Sequence, residues 1–369
     1  MNWKHLLLAA CLLPAEPPQL LSQITNAPLY SAIYAFGDCL TATDTPGLLW
    51  PNWHGRTANG PMWIELASTN VGLTYRAANN FAVSAWTTTN VLNRVSSFTV
   101  PASASNALFV VWAGPVDFYW HLGPDVFSTA TAAATFTSPT NDAAWLTMIS
   151  HSVNNLSNCV AILYSKGVRS FLVPNVDDVS RQPVVITWHS EETRTGLQLR
   201  VKQFNCALAQ AISSLDQTYP DLRIVNPDAF GIISAFIDNP PKYGMSVSYP
   251  AAMQDDGLTD TSFTGPGADY VFWDQYGHPT TKAHGYIAAN FMNALTNARP
   301  QKLNMVATSN SVSLNLSKLL IGRTYSVQAS SDLTSWQDVY HFTAIAGTNQ
   351  WIDSTVGAST RFYHLTWKP

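Results

Sequence analysis

Charge is the scarcest property of this 369-residue chain. Asp, Glu, Lys and Arg make up only 11% of it, where about 25% is usual for a soluble protein. With 46% hydrophobic residues, that balance excludes disorder driven by excess charge. The 19 basic residues form no run and are outnumbered by 23 acidic ones, for a net charge of −4. A phosphate-neutralising nucleic-acid surface is thereby excluded. Cysteine is scarce as well. Cys11, Cys39, Cys159 and Cys206 follow no zinc-binding spacing, so no metal is expected. No stretch beyond the N-terminus is long and apolar enough to cross a bilayer.

Aromatic residues are plentiful, with 13 Trp and 14 Tyr. Together with little charge, this resembles an exported bacterial-type protein. The N-terminus supports that reading. Lys4 and His5 give a positive start, residues 6–13 are apolar, and Pro14, Pro17 and Pro18 break any helix. Residues 1–22 therefore read as an export signal, with a secreted, periplasmic or outer-surface destination. Leu8-Ala9-Ala10-Cys11 resembles the lipobox of acylated lipoproteins. An ordinary signal that happens to contain Cys11 is an equal alternative. Cys159 and Cys206 fall on two predicted helices, on or near apolar faces, and read as small buried hydrophobes. A bridge between them depends on geometry and stays open.

Hydrophobic patterning defines two regions, 28–298 and 301–369. In the first, residues 32–36, 107–112, 168–173 and 222–225 are continuous apolar runs followed by Gly or Pro, as in strands buried on both faces. Helical periodicity lies between them. Leu197, Val201, Phe204, Leu208, Ile212 and Leu215 share one face, as do Trp145, Ile149, Leu156, Val160 and Leu163. Pro61 and Pro279 open two further helices. Strands alternating with helices predict a three-layer α/β domain around a parallel sheet. After Pro300 the pattern shifts to short alternating runs: 311–316, 325–329, 336–342 and 362–367. These predict a small all-β sandwich.

In a parallel α/β layer, reactive groups belong beyond the carboxyl ends of the strands. Phe36-Gly37-Asp38-Cys39-Leu40 follows the first strand. Val111-Trp112-Ala113-Gly114-Pro115-Val116-Asp117 ends the second. Phe272-Trp273-Asp274-Gln275-Tyr276-Gly277-His278-Pro279-Thr280 precedes the last helix. These segments resemble blocks of the GDSL (SGNH) hydrolase family, in the branch of plant GDSL lipases and secreted bacterial esterases. Gly55 to Trp63 resembles its GRFSNGPVW stretch, Asn80-Phe81-Ala82-Val83-Ser84 its NFAVG stretch, and Val173-Pro174-Asn175 its VPN stretch. The resemblance covers about residues 30 to 297 and implies a flavodoxin-like fold, acyl transfer from carboxylic esters and no cofactor. It implies Cys39 as nucleophile, His278 as general base and acid, and Asp274 as the orienting carboxylate. It implies oxyanion donors at Cys39, Ser84 and Val116, with Asp38, Gly114 and Asp117 in support.

Three of these positions depart from the family pattern. Cys39 replaces Ser, and a thiol is an intrinsically better nucleophile. Ser84 replaces Gly but keeps its N–H. Val116 replaces Asn and brings no side-chain donor; losing one such donor typically slows catalysis about 10²–10³-fold. Spacing also differs. Three residues separate Asp274 from His278 where the family has two, and Gly277 is the extra residue that a bulge would accommodate.

The remaining candidates read more plainly. His284, six residues past His278, is expected to be a structural or solvated histidine rather than a metal ligand. His121, His151 and His189 have no motif context. Asp117 reads as a loop-fixing side chain. Trp336, Trp351 and Tyr363 read as core aromatics of the sandwich, with a sugar-stacking platform as the alternative. Two functions are thus expected. One is an exported esterase acting on an ester-bearing small molecule, lipid or glycan. The other is a retired hydrolase scaffold that binds acyl or glycan groups, with 301–369 contacting a polysaccharide or the cell surface.

Overall fold

The computed structural model describes residues 30–47, 52–104, 106–122, 138, 141–258, 265–297, 302–307, 311–319, 323–331, 335–354 and 361–367. The export segment 1–22, with Cys11, lies outside the described residues.

Four strands, β1 (Ile33–Gly37), β2 (Leu108–Trp112), β3 (Ser170–Leu172) and β4 (Arg223–Val225), pair in parallel in that order. Residues 80–83 run along the free edge of β1. Ala35 and Asn80 form a parallel bridge, and the Phe81 and Val83 amides donate to the Ala35 and Gly37 carbonyls at 2.7 and 3.1 Å. The chain therefore leaves β1, passes along one edge, and returns to β2 on the other side. That makes the carboxyl end of β1 a topological switch point, where open α/β sheets form their clefts.

Strand residues alternate between two cores, as the period of two requires. Tyr34, Phe36, Phe109, Val111 and Phe171 face α2 (Thr88–Ser97), α4 (Asp142–Ser165) and α6 (Glu191–Thr218). Ile33, Ala35, Leu108, Val110, Trp112 and Leu172 face α1 (Trp63–Asn70), α7 (Ala229–Asp238) and α8 (Thr281–Asn297). The three-layer α/β architecture follows from these two faces. Every apolar position expected on the α4 face is buried, and so are those of α6 up to Ile212, with Leu215 packed at the margin. Pro61 and Pro279 each sit two residues ahead of α1 and α8 rather than inside their first turns.

The C-terminal segments form two three-stranded antiparallel sheets. One is β10 (Phe362–Trp367), β7 (Thr324–Ser330) and β8 (Gln337–Thr343); the other is β5 (Lys302–Ala307), β6 (Val312–Ser317) and β9 (Thr348–Asp353). Leu314, Leu316, Tyr325 and Val327 close a small shared core, against which Trp351 and Tyr363 pack. Trp351 stacks on Tyr340 with ring centroids 5.4 Å apart, and Trp336 meets His364 edge-on.

One expectation needs correction, and one open question is answered. Cys206 is exposed rather than buried, because it lies beside the apolar stripe of α6 and not on it. Cys159, Cys206 and Cys39 are all free thiols, so the bridge between Cys159 and Cys206 is absent. Cys159 is fully buried, and its surroundings push its thiol up to about 12, which leaves it inert.

Asp117, on α3 (Pro115–Leu122), joins three helices. Its carboxylate accepts from the Thr88 amide (2.9 Å) and hydroxyl (2.7 Å) on α2, and from the Ser152 hydroxyl (2.8 Å) on α4. Leaving those donors buried and unpaired costs about 1–3 kcal/mol each. Asp117→Ala is therefore expected to lower unfolding free energy in urea by about 3 kcal/mol. A change within about 0.5 kcal/mol would contradict the role given to this carboxylate.

Candidate active site

The Cys39 turn begins where β1 ends. Gly37 is required by packing: a Cβ there would lie 2.3 Å from the Trp112 carbonyl oxygen of β2. Asp38 then turns the chain, its Oδ1 accepting from the Leu40 amide at 3.0 Å while its backbone carbonyl takes the Thr41 and Ala42 amides. This presents Cys39, half-buried, at the top of the sheet.

Segments that resemble family blocks tie this turn to distant elements. The Thr57 hydroxyl donates to the Cys39 carbonyl at 2.9 Å, and Asn59 Oδ1 accepts from the Thr281 amide that opens α8. Residues 57–59 thus bridge the Cys39 turn and the start of α8. Asn80 Nδ2 donates to the Thr41 carbonyl at 2.8 Å, while its Oδ1 accepts from the Ala82 amide. Asn175 receives the Phe230 amide and donates to Asp228, which fixes the start of α7.

The histidine loop closes over its extra residue. Gly277 takes φ of +81°, and a Cβ there would meet the Gln182 side chain at 2.5 Å. With that bulge in place, Asp274 Oδ2 lies 2.6 Å from His278 Nδ1, and Asp274 Oδ1 accepts from the Tyr276 amide at 3.0 Å. The His278 carbonyl accepts from the Trp273 amide, and the Tyr119 hydroxyl on α3 holds the Tyr276 carbonyl at 3.0 Å. Cys39 is close enough to the imidazole to favour its protonated form. Imidazole and carboxylate therefore stand hydrogen-bonded, with Cys39 nearby. Burial disfavours a charge on His278, but the Asp274 carboxylate and then Cys39 outweigh it and hold the imidazole well above its usual 6.5.

The expected oxyanion positions divide. Neither the Cys39 nor the Ser84 N–H makes a backbone hydrogen bond among the described residues. The left-handed turn falls on Ala85 (φ 65°), one residue past Ser84, so the serine side chain meets no backbone obstacle. Val116 is buried at the second position of α3 and offers no side-chain donor. Gly114 cannot carry a side chain: its φ is +143°, and a Cβ would sit 2.5 Å from Val176. Beside residues 82–83 lies a groove of about 550 Å³, with Phe81, Val83 and Trp86 as apolar walls and Thr43, Asp44 and Arg94 as polar ones.

Asp177 and Gln182 carry no signal in the sequence. Asp177 is buried beneath the site; its Oδ2 accepts from Gln182 Nε2 at 2.7 Å, and its Oδ1 has no partner among the described residues. Asp38 Oδ2 is equally unpartnered. Burial pushes Asp38 up to about 7, with the Leu40 amide opposing and Asp177 adding. Burial likewise pushes Asp177 up to about 6. His284 is fully buried on α8, so the solvated alternative is excluded. Burial lowers it to about 3, which keeps it neutral. Among the described residues, no group of three or more His, Cys, Asp or Glu side chains is arranged to hold a metal ion.

The GDSL-like lipase/acylhydrolase family matches residues 33–291, and the chain belongs to that family. Among curated relatives, a GDSL esterase/lipase of Arabidopsis thaliana is 28% identical over 175 residues, 44% of this chain and 45% of the relative. An acetylesterase of Thermothelomyces thermophilus is 23% identical over 221 residues, 53% of this chain and 65% of the relative. The chain thus spans less than half the length of the first of these and under two thirds of the second. An acetyl xylan esterase structure from Geobacillus stearothermophilus aligns with a TM-score of 0.42 and 12% identity, covering 72% of this chain and 94% of that one. The fold assignment rests on the sheet order and the family match.

A carboxyl whose native pKa lies above its unfolded value binds protons preferentially in the folded state. Its favourable contribution is complete below about pH 4 and is lost as pH rises through the native value. For Asp177 that window runs from about 4 to about 6. Asp177→Asn removes this titration while keeping an acceptor for Gln182. The variant is expected to be more stable than the parent by about 1–3 kcal/mol at pH 8, with the gap narrowing towards pH 4. Urea titrations across that range check this; a difference independent of pH would contradict it.

Proposed function

We propose that the protein hydrolyses carboxylic esters with Cys39 as nucleophile, His278 as general base and acid, and Asp274 as the carboxylate that orients the imidazole. The observation that carries this reading is the 2.6 Å pairing of His278 with Asp274, with Cys39 close enough to the imidazole to favour its proton. Membership of the GDSL lipase/acylhydrolase family and the likeness to an acetylesterase support it.

In this reading the Cys39 sulfur attacks the ester carbonyl while His278 holds the thiol proton, then passes it to the departing alcohol. The N–H groups of Cys39 and Ser84 receive the negative oxygen of the tetrahedral intermediate. A water activated by His278 completes hydrolysis. No cofactor is needed. The groove at Phe81 and Trp86 is suited to one arm of an ester-bearing small molecule, lipid or glycan. Export to the periplasm, cell surface or medium is part of the same proposal, supported by the pattern of residues 1–22.

A second reading, a retired scaffold that binds acyl or glycan groups, is favoured by one observation: Val116 fills the place of an oxyanion donor with buried hydrocarbon. Surface attachment through 301–369 would belong to that reading, although Trp351 and Tyr363 pack against the sandwich core.

Turnover of p-nitrophenyl acetate by the purified protein separates the two. Cys39→Ala is expected to abolish it, and Val116→Asn to raise it by about 10²–10³-fold. Turnover that survives Cys39→Ala unchanged removes Cys39 from the mechanism. A Val116→Asn rate equal to the parent's removes the oxyanion account.

A further inference from the structure

We propose that the groove beside residues 82–83 is a binding site for a zwitterion, a ligand that carries an ammonium and an anionic group on one small apolar body. None of Cys39, His278 and Asp274 lines this groove, so the inference stands apart from the hydrolase reading and does not need its chemistry.

Arg56, Arg169, Arg181, Arg200 and Arg361 each meet a carboxylate. Arg94 does not. It stands half-buried near the end of α2, with its guanidinium carbon 4.8 Å from the centroid of the Phe81 ring. Its side chain makes no hydrogen bond or ion pair among the described residues. A cation held against an aromatic ring, with all its N–H donors unused, is prepared to grip an oxyanion in the two-pronged geometry that guanidinium favours.

Asp44 lines the same groove. It is exposed, and its carboxylate likewise makes no hydrogen bond or ion pair among the described residues. Its charge reaches Arg56, but that guanidinium is held by both carboxylate oxygens of Glu65, at 3.1 and 2.7 Å. Asp44 and Arg94 form no ion pair with each other. One groove therefore carries a positive and a negative side chain, neither of them matched within the protein.

That pair of charges sets the class of ligand. An anion drawn to Arg94 is repelled by Asp44, and a cation drawn to Asp44 is repelled by Arg94. A zwitterion meets each charge with its opposite. Trp86 adds an aromatic face, which attracts an ammonium group and packs against hydrocarbon, and Phe81 and Val83 complete the apolar wall. A fatty acid leaves Asp44 unmatched, and a neutral sugar cancels neither charge. The groove, at about 550 Å³, lies within the range of about 300–1,000 Å³ usual for small-molecule sites. A free amino acid and a phosphocholine diester share the required chemistry. They differ in whether the ammonium is primary or quaternary and whether the anion is a carboxylate or a phosphate.

The test is isothermal titration calorimetry of the full chain at low ionic strength, where exposed charges are least screened. Glycerophosphocholine and leucine are the zwitterionic probes, choline and isovalerate the singly charged ones, and glucuronate an acidic sugar. At least one zwitterion is expected to bind about tenfold or more tighter than either singly charged probe, equivalent to about 1.4 kcal/mol. Which of the two binds tells a lipid headgroup from an amino acid. Arg94→Gln and Asp44→Asn are each expected to bring that zwitterion down to the affinity of the singly charged probes. Neither side chain has a hydrogen bond or ion pair to lose, so both variants are expected to keep the parent's melting temperature. If one does not, the parent's ranking of probes and the other variant decide. Zwitterions that bind no tighter than the singly charged probes, or glucuronate that binds tighter than both, overturn the proposal. Zwitterion binding that survives both substitutions also overturns it, since the ligand would then sit elsewhere. The readout is binding, so a protein that fails to turn over p-nitrophenyl esters counts against the Cys39 reading alone.

Discussion

The contact on which the site depends is the 2.6 Å pairing of Asp274 with His278. It holds the imidazole by its Nδ1 edge. In buried surroundings the attraction between carboxylate and imidazolium is weakly screened, and this is why His278 keeps its affinity for a proton despite being almost wholly enclosed. The pairing spans one residue more than the family spacing, and backbone conformation makes up the difference. Gly277 adopts a left-handed turn that an ordinary side chain would resist, and it does so directly against Gln182. Gln182 in turn is held by the buried Asp177. The carboxylate–imidazole pair thus rests on a polar layer beneath it.

The sheet explains why these groups meet. Parallel strands all point their carboxyl ends the same way, and the reversal of direction beside β1 puts Cys39 at the switch point. Cleft position alone would not register a thiol with an imidazole more than two hundred residues away. The segment containing Thr57 and Asn59 does that, with one hydrogen bond to the Cys39 carbonyl and one to the first amide of α8. Asn80 anchors the opposite wall, carrying Ser84, to the same turn. The segments whose sequences resemble family blocks are those that hold the site together by hydrogen bonds.

Much of this is legible in the residue pattern itself. Continuous apolar runs mark all four parallel strands to within two residues, because strands buried on both faces leave no polar alternation to confuse them. The sandwich reads less completely. Strands β5 and β9 carry no clear signal, since Met305, Val306 and Ile352 are exposed and the alternation that marks a half-buried strand is blurred. Cys206 departs from expectation because one position around a helix separates a buried face from an exposed one. Asp177 and Gln182 are invisible in the sequence: a buried carboxyl and amide in a loop have no periodicity, and their partner lies nearly a hundred residues downstream. Val116 and Gly277 stand out only against the family pattern. Whether the bulge at Gly277 preserves the carboxylate–imidazole pairing is a matter of φ and packing, which spacing does not encode.

Alkylation by iodoacetamide offers the most direct test of the central claim, that the Cys39 sulfur is chemically activated by its neighbour. The chain carries its own references, since Cys206 is exposed, Cys159 is buried and Cys39 is only half-exposed. Accessibility alone ranks Cys206 first. Activation by His278 ranks Cys39 first at neutral pH and lets Cys206 overtake it in His278→Gln. Peptide-resolved labelling rates that put Cys39 ahead of Cys206 only when His278 is present are the result expected. Labelling of Cys206 ahead of an unreactive Cys39 in the folded parent protein would contradict the account.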